Sequence, residues 1–336
     1  HQPATRPPVG LTPGQAVCTL PGRPIPGRPP TVHSTLRGTP EPTVTQPTKT
    51  AREADHAREG DEPTRVEMPW GPSESRVVSM PGATADITAR VIECGEGPGV
   101  VFLHGLVGLN DHWRKVIGRI KHGVRSTLFE LPLLDLKGSD CSVQGVTELT
   151  IAFLERHVTT PTILVGNSFG GHVALRIAHK RPDLVRGLVL AGSRGLFART
   201  LVRGAPIRPP RDWVKEKIEE LFYDKSALDE SDIDRAHEVL NTRQGARAMV
   251  RLSRTARRNH LGDVLGDITT PTLLIWGRED VVTPPSAAQG FHDLMPDTEL
   301  VWVQECGHTP MLEAPQVFSD ALLAFAARIY GGDTKP

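Results

Sequence analysis

The sequence predicts an α/β protein: a mostly parallel central sheet, helices on both of its faces, and one helical insertion. Three observations carry this. Short continuous apolar runs of strand length recur along the chain. Segments of helical periodicity separate them, and that alternation implies parallel strands joined by helices. A long break in the alternation, over residues 193–268, reads as helices only.

Two alternating stretches come first, Arg76–Met80 and Ile87–Glu93, separated by the turn-forming Pro81-Gly82. Gly99–Leu103 is a continuous apolar run, as expected of a strand covered on both faces, and Arg125–Phe129 is another candidate for a buried strand. Between them a helix is expected over Asp111–Lys121. Val146, Leu149, Ile151, Phe153 and Leu154 give a second helix over Val146–Val158. Thr162–Val165 is a strand that leads through a glycine-rich turn into another helix. Arg186–Ala191, Thr272–Trp276 and Glu299–Val303 complete the strands, with helices near Ser286–Leu294 and Pro315–Tyr330. In open sheets of this kind, chemistry collects at the carboxyl ends of the strands.

The insertion reads as helices Arg211–Tyr223, Glu230–Leu240 and Gly245–Arg258. Its position, between the strands that carry the candidate nucleophile and acid, suits a lid over the site. Arg243, Arg247, Arg251, Arg254, Arg257 and Arg258 alternate with apolar residues and read as a solvated helix face, with contact to an anionic substrate as the alternative. The chain thus divides into a first core part (68–192), the insertion (193–268) and a second core part (269–336).

Residues 1–67 are different material. They are dense in Pro, Thr, Arg and Gly, and nearly free of aromatic or periodic apolar content, so they are expected to be disordered. The first methionine is Met68, and the globular pattern starts just after it, so translation is expected to begin there; a genuine proline-rich tail is the alternative. Formal net charge is zero over 336 residues, which gives no electrostatic case for a nucleic-acid partner. No apolar stretch reaches the roughly 20 residues of a membrane span. Cys18, Cys94, Cys141 and Cys306 are scattered without a metal-ligand spacing, so neither a disulfide framework nor a metal site is expected. Free thiols fit a cytoplasmic location.

Candidate chemistry centres on Gly166-Asn167-Ser168-Phe169-Gly170, a sharp turn with a serine at its apex. The flanking glycines are needed because a side chain there would strike the neighbouring strand and helix. A nucleophilic serine requires a base, an orienting carboxylate and an oxyanion hole. Asp280 follows a buried strand and is the candidate carboxylate, with Glu279 its rival. His308, freed by Gly307 on the loop after the last strand, is the candidate base. Phe169 N–H at the helix start is one candidate oxyanion donor. The other comes from the loop His104-Gly105-Leu106-Val107-Gly108, with Leu106 preferred and Val107 left open. His104 reads as a brace for that loop.

His104-Gly105, Gly166–Gly171, Trp276–Asp280 and Gly307-His308, in that order, resemble the α/β-hydrolase superfamily over roughly residues 75–330. The resemblance implies the α/β-hydrolase fold and a serine hydrolase that needs no metal or organic cofactor. In it Ser168 attacks, His308 carries the proton and Asp280 orients the imidazole. The expected partner is a small-molecule substrate, an apolar ester, and carboxylester hydrolysis is the expected reaction. Gly166-Asn167-Ser168 and Cys306-Gly307-His308 also look like the carbon–carbon hydrolases of meta-cleavage products. Leu106-Val107-Gly108 departs from their oxyanion loop, and Glu130–Gly138 lacks a turn common in relatives. A non-catalytic binding protein on the same fold is the third reading.

Overall fold

In the computed structural model, residues 62–108, 110–196 and 208–331 are described, and these all fall in one compact unit. The disorder expected of residues 1–61 lies outside the described residues. Residues 64–67 are described, and they are strand: β1 (Thr64–Met68) pairs antiparallel with β2 (Gly71–Pro81), so strand structure starts upstream of Met68. The sequence hid β1 because it is a short edge strand with only Val66 and Met68 even half-buried.

Nine strands form one sheet in the order β1-β2-β3-β5-β4-β6-β7-β8-β9. The remaining strands are β3 (Asp86–Cys94), β4 (Gly99–Leu103), β5 (Arg125–Phe129), β6 (Thr162–Asn167), β7 (Val185–Ala191), β8 (Thr272–Gly277) and β9 (Thr298–Val303). β3 joins β5 antiparallel; from β5 to β9 every pairing is parallel. The chain leaves β4 for β5 on one side and then returns to β6 on the other. That reversal opens a crevice at the carboxyl ends of β4 and β6. Register brings these ends level: Leu103 stands beside Gly166, and Asn167 beside Ala191.

The sheet buries apolar side chains on both faces. Within β4, Val101 and Leu103 join the cluster under α2 (Val143–His157) and α3 (Phe169–Lys180), while Val100 and Phe102 join the opposite one. The first face stacks Phe129 on Phe153 at 4.1 Å. On the second, Trp113 lies between Phe102 and Phe318, which links β4 to α9 (Pro315–Gly331) past α1 (Arg114–Ile120). Each such pair contributes about 1 kcal/mol beyond its area burial.

Among the described residues, the insertion between β7 and β8 contains the three expected helices, α4 (Arg211–Glu219, ending four residues earlier than expected), α5 (Glu230–Asn241) and α6 (Arg243–Arg258). All six arginines of α6 are exposed, which agrees with the solvated-face reading. The insertion is tied to the core by Asp232 to His112 (3.2 Å), Asp229 to Arg114 (3.2 Å) and Arg235 to Asp111 (3.0 Å). Beyond it lie α7 (Pro285–Leu294) and the short α8 (Pro310–Glu313). Among the described residues no helix is long and apolar enough to cross a membrane.

Candidate active site

Ser168 sits between β6 and α3 with φ +52° and ψ −110°. A non-glycine residue in that region costs about 1–3 kcal/mol, so its surroundings must enforce it. They do. Ser168 N–H donates to Ala191 O at 3.1 Å, while Ser168 O accepts from the N–H groups of His172 (3.2 Å) and Arg194 (3.0 Å). The flanking glycines are required as the motif implies. A Cβ on Gly166 would come within 2.5 Å of the Gly171 backbone, and one on Gly170 would overlap Leu103 O.

Asp280 and His308 come together from the loops after β8 and β9. The His308 imidazole donates from Nδ1 to Asp280 Oδ2 at 2.8 Å, with both residues buried. Asp280 Oδ1 accepts from the N–H groups of Val282 (2.8 Å) and Thr283 (2.9 Å), and Oδ2 from the Thr283 hydroxyl (2.7 Å). Burial pushes the Asp280 carboxyl up. The His308 charge and the hydrogen bonds of His308 and Thr283 outweigh it and hold the group below its ordinary value. With Nδ1 engaged, Nε2 is the nitrogen free for the cavity. The rival Glu279 does different work: its Oε2 accepts Cys306 N–H at 2.9 Å and so fixes the histidine loop.

Ser168 and His308 line one cavity of about 170 Å³. The serine hydroxyl makes no hydrogen bond to the imidazole among the described residues; such contacts are commonly loose before substrate tightens them. A neighbour couples the two. Asn167 Nδ2 donates to Ala191 O (3.0 Å) and to His308 O (3.2 Å), which ties the backbone of the histidine loop to the serine turn. Glu313 braces the same loop: Oε1 accepts Gly307 N–H (3.1 Å) and the Thr309 hydroxyl (3.1 Å), and Oε2 accepts Tyr223 N–H (2.7 Å) from the insertion.

Leu106 and Val107 both line the cavity, on the loop after β4. Phe169 opens α3, so its N–H has no partner within the helix. His104 braces this loop. Its Nε2 accepts Leu131 N–H at 2.9 Å, which leaves Nδ1 protonated to donate to Gly105 O at 2.7 Å. Burial lowers its pKa to about 4, so the ring is neutral near pH 7.

Much of the remaining cavity wall comes from the insertion and is mostly apolar, with Val214 and Ile218 of α4, Leu240 of α5 and Met249 of α6, beside the charged Lys217 and Asp232. The sequence reading did not single out Thr283, Glu313 or Arg194. The first two act through side-chain contacts that no short motif encodes. Arg194 is signalled only by its place three residues past the β7 terminus. Asp111, His112 and Asp232 bring possible ligand atoms within 4.8 Å of one another. Arg235 already donates to both carboxylates, which supplies the positive charge a metal ion would bring. Cys94, Cys141 and Cys306 are buried free thiols.

Residues 100–321 match the model of the alpha/beta hydrolase family. A pimeloyl-[acyl-carrier protein] methyl ester esterase of Nitrosomonas europaea is 28% identical, over 67% of this chain and 94% of its own length. The 2-hydroxy-6-oxo-6-(2'-aminophenyl)hexa-2,4-dienoic acid hydrolase of Metapseudomonas resinovorans is 26% identical, over 76% of this chain and 93% of its own. Among solved structures, an alpha/beta hydrolase enzyme from the sediment metagenome of the Mar Chica lagoon, Morocco, is 30% identical with a TM-score of 0.55. It covers 71% of this chain and 94% of its own.

Proposed function

The chain belongs to the alpha/beta hydrolase family, and from that premise we propose that it is a serine carboxylesterase that cleaves small acyl esters through an acyl-enzyme. The observation that carries the reading is the buried Asp280–His308 hydrogen bond at 2.8 Å, opening onto the cavity that holds the strained Ser168.

In this reading Ser168 Oγ attacks the ester carbonyl while His308 Nε2 takes its proton. Asp280 fixes the tautomer and stabilises the imidazolium that forms. The developing oxyanion is met by the main-chain N–H groups of Leu106 and Phe169, the latter helped by the dipole of α3. Collapse of the intermediate expels the alcohol, which takes the proton back from His308. Water, deprotonated by the same nitrogen, then releases the acid and frees Ser168. The helical insertion acts as a lid, whose apolar wall excludes bulk water and receives the chain of the ester.

Alkyl esters of graded acyl length, titrated by acid release, test this. Turnover by the parent enzyme and its loss in Ser168→Ala are expected; equal turnover by the two proteins would assign the nucleophile elsewhere. A second reading is carbon–carbon bond hydrolysis, supported by the Metapseudomonas relative. Cleavage of a vinylogous diketo acid together with inactivity on every ester would select it.

A further inference from the structure

One cavity-lining arginine has no ion-pair partner among the described residues; Asp232, which lines the same cavity, is paired with His112 and Arg235. Arg194 lines the cavity together with Ser168 and His308, and its main-chain N–H is one of the two bonded to Ser168 O. The side-chain Nε is buried without a hydrogen-bond partner. Among the described residues no carboxylate pairs with the guanidinium, and residues 197–207, which follow it, include no Asp or Glu. Its charged surroundings are unfavourable. Burial lowers its pKa, and the charge of Arg257 adds to that. Arg194 in turn helps keep the buried His172 neutral, a ring lowered to about 3 by burial and then by Arg176.

Purely structural buried arginines are normally paired, because an uncompensated buried charge is strongly destabilising. A wholly apolar ester would gain nothing from this one. The position is also informative. Gly192, two residues earlier, packs against the catalytic pair so tightly that a Cβ there would lie 2.8 Å from His308 Nδ1 and 3.1 Å from Asp280 Oδ2. Arg194 and Ser168 line the same cavity, whose wall also includes the apolar Leu240 and Met249, so a group held by Arg194 shares that cavity with the serine.

We propose that the substrate carries a carboxylate, as in the monoester of a short dicarboxylic acid, and that Arg194 binds this anion while the ester carbonyl meets Ser168. This deepens the esterase reading and rests on it. The planar guanidinium fork matches a carboxylate in two parallel hydrogen bonds, and the apolar wall suits a methylene spacer.

The test compares monoethyl glutarate with ethyl pentanoate, esters of similar length that differ in the terminal charge. In the parent enzyme kcat/KM for the charged ester is expected to exceed that for the neutral one by about tenfold or more, and added salt should narrow the gap. Arg194→Met should lower that ratio by about tenfold or more, to near one, mainly through KM, the size of a lost charge-assisted hydrogen bond. Arg194→Lys should recover part of it. A parent ratio near one, or an unchanged ratio in Arg194→Met, overturns the proposal. Glutarate binding to Ser168→Ala separates this from the chemistry. Glutarate should raise the melting temperature of Ser168→Ala but not that of Ser168→Ala/Arg194→Met. If neither ester is cleaved by the parent, the esterase reading falls, and the glutarate shift alone decides whether Arg194 holds an anion; no shift overturns the anion site.

Discussion

Three backbone hydrogen bonds hold Ser168 at φ +52°, and that strain is what lifts its hydroxyl to the level where the histidine loop arrives. Replacing Ser168 by Ala should lower kcat by at least about 10³-fold, with an unchanged circular dichroism spectrum. Asn167 gives a finer check. Asn167→Ala removes the donor to Ala191 O and His308 O, so it should cost about 1–3 kcal/mol of stability and lower kcat more than it raises KM. A kcat equal to the parent's would show that the histidine loop keeps its place without that tie. That Ser168 and His308 would line one cavity was legible in the sequence because glycines mark the sharp turns that carry them. The pairing of Asp280 with His308 was legible from the aspartate's place after a buried strand. Thr283 was not, because a threonine hydroxyl bonded to Asp280 Oδ2 leaves no spacing or composition signal.

At the scale of elements, the loop after β4 and the start of α3 depend on two histidines kept neutral by burial, His104 with a pKa of about 4 and His172 of about 3. In the unfolded chain both titrate near 6.5. Below that pH the unfolded state binds protons that the folded state refuses, so their contribution is complete above pH 6.5 and is lost as pH falls toward 4. The urea midpoint should therefore decline through this window, with each histidine contributing a slope of up to about 1.4 kcal/mol per pH unit. His172→Gln should flatten the decline; a parent midpoint constant from pH 6.5 to 4.5 would contradict this account. Glu313 joins the histidine loop to the insertion through three main-chain N–H groups and one hydroxyl. Glu313→Ala should destabilise by about 2–4 kcal/mol and depress turnover, as read by thermal melts and kcat together. The parallel strands were legible nearly to the residue, since most are buried, largely apolar runs between turn signals. Edge strand β1 and the four-residue helix α8 were too short and too polar or too local to produce a periodicity.

Across the whole molecule, the sheet supplies a rigid ledge and the insertion supplies the wall that faces it. Coupling between them is partly apolar, with Phe222, Met249 and Leu252 buried in the core clusters, and partly electrostatic and half-exposed, through Asp111, His112, Arg114, Asp229, Asp232 and Arg235. Arg235→Ala should leave the sheet core folded and alter access to the cavity. The expected result is a changed KM for bulky esters with a smaller change for short ones, and equal effects on both would show that this latch does not govern entry. Chain order and the break over residues 193–268 made the architecture readable from sequence. Which insertion residues line the cavity was not readable, because it depends on how α4, α5 and α6 pack over the strand ends.

The central claim is that Ser168 is an activated nucleophile. Treatment with a fluorophosphonate followed by peptide mass mapping tests it most directly. One adduct per chain on the peptide that contains Ser168 is expected, absent in Ser168→Ala and formed far more slowly in His308→Ala. A folded parent protein that remains unlabelled, or that carries its adduct on another residue, would contradict the account.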